Sequence, residues 1–283
     1  MTLPPCDLHV PDGLDAGAAV ARTTHLGIGA HADDLEFMAL DGILAARDSP
    51  DHWFGGITVT HGAGSARTGP FWGYSDQAMQ AVRAQEQKAA ADLGTYGFVA
   101  QLGLPSSQVK QPRTREDLVD TLDGFLRAAR PETVYTHNPF DKHATHVGVL
   151  LAVIEACRRL PAEERPGRLL GCEVWRDLDW LPDHLKVVQD LSGHPDFARR
   201  LNAVFASQIA GGKRYDEAVE GRRRAHATFL ESHGTDAMTH AAYAIDLTSL
   251  IRGTSPEALI PFTDRILDAF RNQVRGQLDS LLP

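Results

Sequence analysis

Cysteine is scarce in this chain of 283 residues, which contains only Cys6, Cys157 and Cys172. No two of them have the C-x-x-C spacing of cysteine zinc sites, and the odd number leaves one thiol without a partner. A disulfide framework and a cysteine zinc centre are therefore disfavoured. Such cysteine usage is typical of a reducing compartment, so we expect a cytoplasmic protein.

Long apolar runs and a basic excess are also missing. No stretch of about 18 apolar residues could span a membrane, and the first residues lack the basic and apolar pattern of a secretory signal. The net charge of -9 disfavours a surface that binds nucleic acid or anionic membrane. One basic run, residues 221–226 (GRRRAH), lies in a helical pattern and is interpreted as a solvated helix face.

Short apolar runs alternate with helical patterns along most of the chain, which predicts an α/β fold. We expect a Rossmann-like, mostly parallel sheet with helices on both faces. The pattern indicates a single domain with a core over about 20–215 and a mostly helical C-terminal extension over 216–283. The predicted strands are 24–30, 54–60, 96–103, 131–139 and 168–178, and the predicted helices are 34–47, 75–93, 115–129, 146–160 and 258–282.

Two polar segments follow predicted strands, where sites of open α/β sheets gather. GAHADDLE, residues 29–36, follows the first strand, and THNPFDKHATHVG, residues 136–148, includes the end of the fourth. Two histidines and one aspartate from these loops would leave one coordination position open for water, as in catalytic zinc sites. The candidate side chains are His31, Asp33, Asp34, His137, Asp141, His143 and His146.

The adjacent Asp33 and Asp34 need an explanation, because neighbouring carboxylates repel and lose solvation beside a buried strand. A divalent cation would remove that repulsion. One aspartate could then bind the metal while its neighbour takes a proton from the metal-bound water.

These segments resemble the LmbE/PIG-L family of zinc-dependent N-deacetylases, and the likeness extends over about residues 24–215. The family motif AHPDDxE is matched by AHADDLE (30–36), and its HPDH motif by HATH (143–146). Weaker matches are RAQEQKAAADLG, from Arg83 to Gly94, and the pair Ser207 and Gln208.

The resemblance implies a role for each matched residue. His31, Asp34 and His146 would bind Zn²⁺, although such ligands also accept other divalent metals. Asp33 would be the general base. His143 would stabilise the tetrahedral intermediate and protonate the leaving amine, and Arg83 would contact the substrate.

Two departures from the family motifs stand out. Ala32 replaces the proline of the first motif, which alters only the stiffness of the backbone. Thr145 replaces the acidic residue of the second motif, which in the family orients the stabilising histidine. Asp141 is the candidate to take over that task.

Each residue also has a simpler interpretation. Asp33 could be a helix N-cap, Glu36 a first-turn acid or a support for the site, and His137 a hydrogen-bonding group rather than a ligand. His61 and His233 are interpreted as ordinary histidines.

Three further segments have alternative interpretations. GIGAHA, residues 27–32, also fits a dinucleotide-binding fingerprint. The loop HGAGSARTG, residues 61–69, could cradle a phosphate with Arg67 or shape a pocket. WRDLDWL, residues 175–181, carries aromatics beside acids, which suits sugar binding, and packing of one tryptophan in the core is the alternative.

The sequence therefore favours a hydrolase that removes an N-acetyl group from an N-acetylglucosamine-like conjugate and releases acetate and a free amine. One alternative is an amidase of the same family that cleaves a different amide, as in mycothiol conjugates. Another is a non-catalytic dinucleotide- or sugar-binding module. The expected partner is a small-molecule amino sugar, with no nucleic acid and no membrane, and a homo-oligomer is left open.

Overall fold

The computed structural model describes residues 3–64, 67–253 and 256–283. The described residues form one eight-stranded sheet with helices packed against both faces. The strands are β1 (Asp7–His9), β2 (His25–Gly29), β3 (Phe54–Thr60), β4 (Phe98–Leu104), β5 (Thr133–His137), β6 (Arg168–Cys172), β7 (Lys186–Asp190) and β8 (Ala241–Asp246). The helices are α1 (Ala16–Ala21), α2 (Asp34–Met38), α3 (Leu40–Asp48), α4 (Asp76–Gly94), α5 (Ser106–Lys110), α6 (Glu116–Ala129), α7 (Ala144–Arg159), α8 (Pro195–Ala203), α9 (Ala206–Ile209), α10 (Tyr215–Phe229) and α11 (Leu259–Leu281).

The spatial strand order is β1-β4-β3-β2-β5-β6-β8-β7. The five central strands are parallel to one another and lie in the order β4, β3, β2, β5 and β6. β1 pairs with β4, and β8 pairs with β6, in antiparallel orientation. The chain proceeds outward from β2 to β4 and then returns to the other side of β2 with β5. This reversal is a topological switch point, where open α/β sheets place their ligands. The predicted α/β, mostly parallel sheet is confirmed.

Two apolar layers cover the sheet. One contains buried side chains of α1, α6 and α7, together with Phe262 and Ile266 of α11. The other contains side chains of α2, α3, α4 and α8. Helices on both faces are the expected cover for a parallel sheet, whose strands are buried on both sides. Within the described residues, no helix combines the length and apolar character that crossing a membrane requires.

Helix α4 shows how residues near its ends determine where a helix begins and ends. Its N-cap is Ser75, whose hydroxyl accepts a hydrogen bond from the Ala78 amide at 3.1 Å. The left-handed residue at its C-terminus is Thr95 (φ 53°), directly after Gly94, the last residue of the helix. Gly94 is required by close packing, because a β-carbon there would lie 2.3 Å from the Tyr96 ring.

The structure corrects two predictions about elements. The helix predicted over 34–47 is divided into α2 and α3 by Ala39, whose φ and ψ (-114°, 21°) are not helical. Strands β1, β7 and β8 were not predicted. Because β1 and β8 belong to the sheet, it extends beyond the expected core of 20–215 at both ends. The single-domain interpretation stays a prediction.

Candidate metal centre and active site

The switch point brings the two polar segments together. β2 and β5 are adjacent and parallel, so the loops after Gly29 and His137 leave the same edge of the sheet. The first loop leads into α2, which begins at Asp34, and the second leads into α7, whose first turn contains His146. Side chains 115 positions apart in sequence are thus in direct contact.

Three of these side chains converge on one point. Nδ1 of His31 lies 3.1 Å from Nε2 of His146 and 3.3 Å from Oδ2 of Asp34. The Asp34 oxygen lies 3.6 Å from the same His146 nitrogen. A tetrahedral zinc ion with bonds of about 2.1 Å separates its ligand atoms by about 3.4 Å. The spacing of this set therefore fits one zinc ion.

Charge and protonation also suit a cation here. Burial lowers the pKa of His146 to about 4, with the nearby His137 contributing, so the imidazole is neutral and can bind a metal at neutral pH. Burial would raise the pKa of Asp34, but the adjacent His146 and His137 hold it well below its ordinary value. Asp34 is thus an ionised carboxylate with almost no exposure to water.

His137 also lies close to Asp34 and His146, and these three form a second set that could hold a metal. However, Nε2 of His137 accepts a hydrogen bond from the Ala30 amide at 3.0 Å. A nitrogen whose lone pair is engaged in this way cannot also bind a metal. The ring stacks on His146 with centroids 3.9 Å apart. These contacts agree with the hydrogen-bonding role expected for His137.

His143 lies on the open side of the same cluster. It is the N-cap residue of α7 and has an extended backbone, so it precedes the helical turn that contains His146. Its ring packs edge-on against those of His31 and His146, at 5.0 and 4.6 Å. Burial, followed by the proximity of His31, lowers the pKa of His143. His31, His143 and His146 form a third set of metal-ligand spacing, so the role of His143 stays a prediction.

Asp141 has a different contact from the one expected. Its Oδ1 accepts a hydrogen bond from the backbone amide of His143 at 2.8 Å, and its Oδ2 accepts one from the amide of Trp175 at 3.0 Å. The same Oδ2 lies 3.3 Å from Nδ1 of His146. The carboxylate thus faces the ring of His146, not that of His143. A carboxylate behind a metal-binding histidine fixes its orientation and tautomer.

Asp33 is held in a strained conformation. Its backbone is left-handed (φ 81°), which is uncommon for a residue with a side chain and is concentrated at functional sites. It precedes α2, but its carboxylate makes no capping hydrogen bond and instead lines the pocket in front of the metal ligands. Burial raises the pKa of Asp33 well above its ordinary value, with Asp34 next in effect. Asp33 therefore occupies the N-cap position of α2 without capping the helix through its side chain.

The two weakest motif matches contact each other. Arg83 donates a hydrogen bond to Oε1 of Gln208 at 2.9 Å, and Glu86 accepts from the amide and hydroxyl of Ser207 at 2.7 and 2.5 Å. Gln208 in turn donates to the carbonyl of Ala32 at 3.1 Å. These bonds connect α4 and α9 to the loop that contains His31 and Asp33.

Arg83 itself is buried behind the pocket rather than exposed in it. It also donates to the carbonyl of Gly62, where a β-carbon would lie 2.5 Å from the guanidinium. Arg83 thus reaches the pocket through Gln208, and its direct contact with substrate stays a prediction.

A pocket of about 270 Å³ opens in front of these side chains. Its floor is formed by His31, Asp33, Asp34 and His143, and Phe37, Val174 and Trp175 form part of its wall. Trp175 stacks near His143 with centroids 6.2 Å apart. The other tryptophan of the same segment, Trp180, packs against Phe140 and Phe270. Trp175 thus lines the pocket, whereas Trp180 is half-buried and packs against the core.

The remaining predicted residues lie around this site. Glu36 is fully buried and accepts hydrogen bonds from Tyr96 at 2.8 Å and from Gln87 at 2.9 Å, so it supports the site from behind. His61 accepts from the amide of Ala63, and His233 is exposed. In the loop 61–69, residues 65 and 66 lie outside the described residues, and Arg67 pairs with Asp76.

The glycines of the dinucleotide fingerprint lie within β2 rather than after it. A β-carbon on Gly29 would lie 2.9 Å from the β-carbon of Asp34, so this glycine allows Asp34 to pack against the strand.

Residues 26–157 match the family described as PIG-L, GlcNAc-PI de-N-acetylase. This region of the chain is a PIG-L family domain. The matched region contains the predicted metal ligands, together with Asp33, Asp141 and His143. No curated protein matches the chain.

Several solved structures share the fold of this chain. N,N'-diacetylchitobiose deacetylase from Pyrococcus horikoshii is 15% identical, with a TM-score of 0.59 over 78% of this chain and 82% of that one. A deacetylase of the A40926 pseudoaglycone is 17% identical, with a TM-score of 0.55 over 80% and 97%. The 4-carboxy-2-hydroxymuconate hydratase GalB from Pseudomonas putida KT2440 is 18% identical, with a TM-score of 0.62 over 84% and 99%. Because a hydratase has the same fold, the fold alone does not assign the reaction.

One wall of the pocket lies beyond the matched PIG-L region. Helix α10 contributes Tyr215, Ala218, Val219 and Arg222. Sequence reasoning missed these residues because no motif marks them. The basic run 221–226 was interpreted as a solvated face, and this was wrong: Arg223 is 2% exposed and donates to the carbonyls of Glu36 and Phe37 at 2.9 and 3.2 Å.

Proposed function

We propose that this protein is a metal-dependent N-deacetylase that hydrolyses the acetamide of an amino-sugar conjugate. The observation that carries the proposal is the convergence of His31, Asp34 and His146, with Asp33 beside them at the floor of an open pocket. Membership of a deacetylase family and the likeness to amino-sugar deacetylases support the same reaction.

Four residues would hold and orient the metal site. His31, Asp34 and His146 would hold the zinc ion, which polarises the amide carbonyl and acidifies water when it is bound. Asp141 would keep the proton of His146 on Nδ1, so that the lone pair of Nε2 faces the metal.

Asp33 would take the proton from the attacking water. Its raised pKa makes it a better base than an ordinary aspartate, and its lack of a capping hydrogen bond leaves the carboxylate oxygens open to water. A hydrogen bond from His143 would stabilise the negative charge that develops on the carbonyl oxygen. The same residue would pass a proton to the nitrogen as the C–N bond breaks, and acetate and a free amine would result.

Two other functions compete with this proposal. An amidase would use the same floor and differ only in the wall that selects the substrate. A non-catalytic binding module would not need a strained, uncapped Asp33, because backbone strain of about 1 to 3 kcal/mol persists only where the surroundings impose it.

The test combines metal content with acetate release from a panel of N-acetylated amino sugars. We expect about one zinc per chain in the wild type and in Asp33→Asn, with the activity of the variant reduced by about 10² to 10⁴. His146→Ala should lose both zinc and activity. His233→Ala, which alters an exposed histidine, is the matched control. Zinc without acetate release, but with release of another acid from other amides, would favour the amidase, and wild type without zinc would contradict the proposal.

A further inference from the structure

Helix α11 carries a concentration of exposed apolar side chains. Among the described residues, five of the eleven exposed large apolar side chains belong to this helix. Four of them recur at intervals of seven residues and are 40% to 77% exposed. They are Ile260, Leu267, Val274 and Leu281, and together they form the α11 stripe. A row of exposed apolar side chains on one element marks an interaction surface.

The α11 stripe is separate from the side of the helix that packs on its own domain. Phe262 and Ile266 belong to the core, and they lie about a third of a turn around the helix from the stripe. Every residue from 271 onward is exposed. Among the described residues, the lining of the pocket includes none from α11, so the stripe serves a purpose apart from the metal centre.

The spacing of the stripe indicates that its partner is another helix. A seven-residue apolar repeat over three heptads is the pattern of a coiled coil. If the stripe occupies the a positions of the heptad, Thr263 and Phe270 occupy d positions and widen the apolar seam. A membrane surface fits less well, because α11 has three acidic and three basic residues, whereas helices that lie on anionic membranes carry a basic excess.

The charges beside the stripe are complementary to a second copy of this chain. Asp264 and Arg271 both occupy e positions, one heptad apart, and in an antiparallel helix pair the e positions of the two chains face each other. Pairing Leu267 with Phe270 of the second copy brings Arg271 of each chain beside Asp264 of the other. A shift of one heptad in either direction would bring Arg271 beside Arg271, or Asp264 beside Asp264. Repulsion between like charges therefore selects one register.

We propose that two copies of this protein associate through α11 in an antiparallel coiled coil. The part of α11 beyond 271, which is exposed in the single chain, lies along the first half of the other helix. In the single chain Arg271 pairs with Asp268 at 2.7 Å, but an ion pair between exposed side chains contributes little, so Arg271 is available to the second copy. The association joins domains that are already folded. Near its dissociation constant it therefore changes their melting temperature little.

The first experiment measures the mass of the full chain by sedimentation equilibrium over a range of micromolar concentrations. We expect a reversible rise toward twice the 30.8 kDa of one chain. Val274→Glu should weaken the association by about 100-fold or more, because each dimer would bury two carboxylates in the apolar seam. A single species of one chain at every concentration, or a dimer that Val274→Glu leaves intact, would overturn the inference.

The matched control is Asn272→Glu, which adds the same charge to an exposed position on the opposite side of the helix. It should associate like the wild type, and circular dichroism should show that both variants are folded. Equal weakening by Asn272→Glu and Val274→Glu would mean that added charge, rather than the stripe, governs the association, and the inference would fail.

A charge exchange tests the register. Asp264→Arg and Arg271→Asp each bring like charges together, so each variant alone should self-associate about tenfold or more weakly than the wild type. An equimolar mixture of the two should associate again, because each e position then faces an opposite charge. Absence of recovery in the mixture would overturn the antiparallel pairing, and the measurement needs neither metal nor substrate.

Discussion

Two adjacent aspartates show how strongly the surroundings set the chemistry of a residue. Asp33 and Asp34 are both buried, yet burial raises the pKa of Asp33, whereas His146 and His137 hold the pKa of Asp34 low. The two pKa shifts differ because the two carboxylates point in different directions. Only Asp34 faces the histidines, and it accepts a hydrogen bond from the His31 amide at 2.7 Å. Opposite shifts in neighbouring carboxylates are the usual sign of divided roles in catalysis.

The same distinction applies to two stacked histidines, and it gives a prediction for a matched pair of variants. His137→Phe keeps the ring but removes the acceptor of the Ala30 amide, so we expect the free energy of unfolding to fall by about 1 to 3 kcal/mol. Its zinc content should stay near one per chain. His146→Phe removes a proposed ligand and should abolish zinc binding. Denaturant unfolding of the metal-free proteins and metal analysis of the loaded ones measure the two effects.

Loss of zinc in His137→Phe, together with retention in His146→Phe, would contradict this assignment of ligands. Loss in both variants would indicate that the stacked pair binds the metal jointly, as the alternative set of Asp34, His137 and His146 would require.

At the scale of elements, the short helix α2 is held by partners distant in sequence. It has only five residues, too few to be stable alone. Glu36 fixes it through Tyr96 and Gln87, and Arg223 of α10 binds the carbonyls at its end. Because α2 begins with Asp34, these buried polar contacts determine where this proposed metal ligand lies.

Glu36 makes the contribution of this helix to stability dependent on pH. Burial raises its pKa from an ordinary 4.5 to about 7, so the folded protein binds a proton that the unfolded chain releases between these values. The bound proton therefore stabilises the folded protein fully below about pH 4.5, and this stabilisation is lost as pH rises through about 7. The free energy of unfolding falls by about 3 kcal/mol in total. Glu36→Gln keeps an uncharged acceptor for Tyr96. In metal-free protein, we expect the variant to gain stability relative to wild type by about this amount between pH 5 and pH 8.

Urea unfolding at several pH values measures that difference. A constant difference between Glu36→Gln and wild type from pH 5 to pH 8 would mean that the Glu36 carboxylate is stabilised by its hydrogen bonds despite its burial.

The elements that the sequence predicts are those with a strong local pattern. The central strands and α4, α6, α7 and α11 could be located because an apolar pattern lies within each segment, and α4 has a capping serine as well. β1 has three residues and β8 reads AAYAID, so neither has a clear alternation, and both depend on strands distant in sequence. The floor of the site was predictable from two motifs. Its wall on α10 was not, because Tyr215, Val219 and Arg222 follow only the ordinary pattern of a helix.

At the scale of the whole molecule, the C-terminal part of the chain is divided into an integral half and a peripheral half. β8 lies between β6 and β7 and pairs with both, so it connects the edge of the sheet to its parallel centre. In α11, by contrast, Phe262 and Ile266 are buried, and every residue from 271 onward is exposed. The apolar area that a segment buries determines how much of the stability it carries.

This difference predicts opposite results for two truncations. Deletion of 271–283 should change the melting temperature by no more than about 2 °C, because it removes only exposed side chains. A fragment restricted to 20–215 lacks β8 and should not fold. Without β8, the strand β7 loses the strand with which it pairs among the described residues, and one edge of β6 is left exposed. Thermal unfolding followed by circular dichroism, with solubility as a second measure, tests both. A cooperative transition in the 20–215 fragment would mean that the parallel strands are stable without β8, and that the terminal strand is an addition to a complete domain.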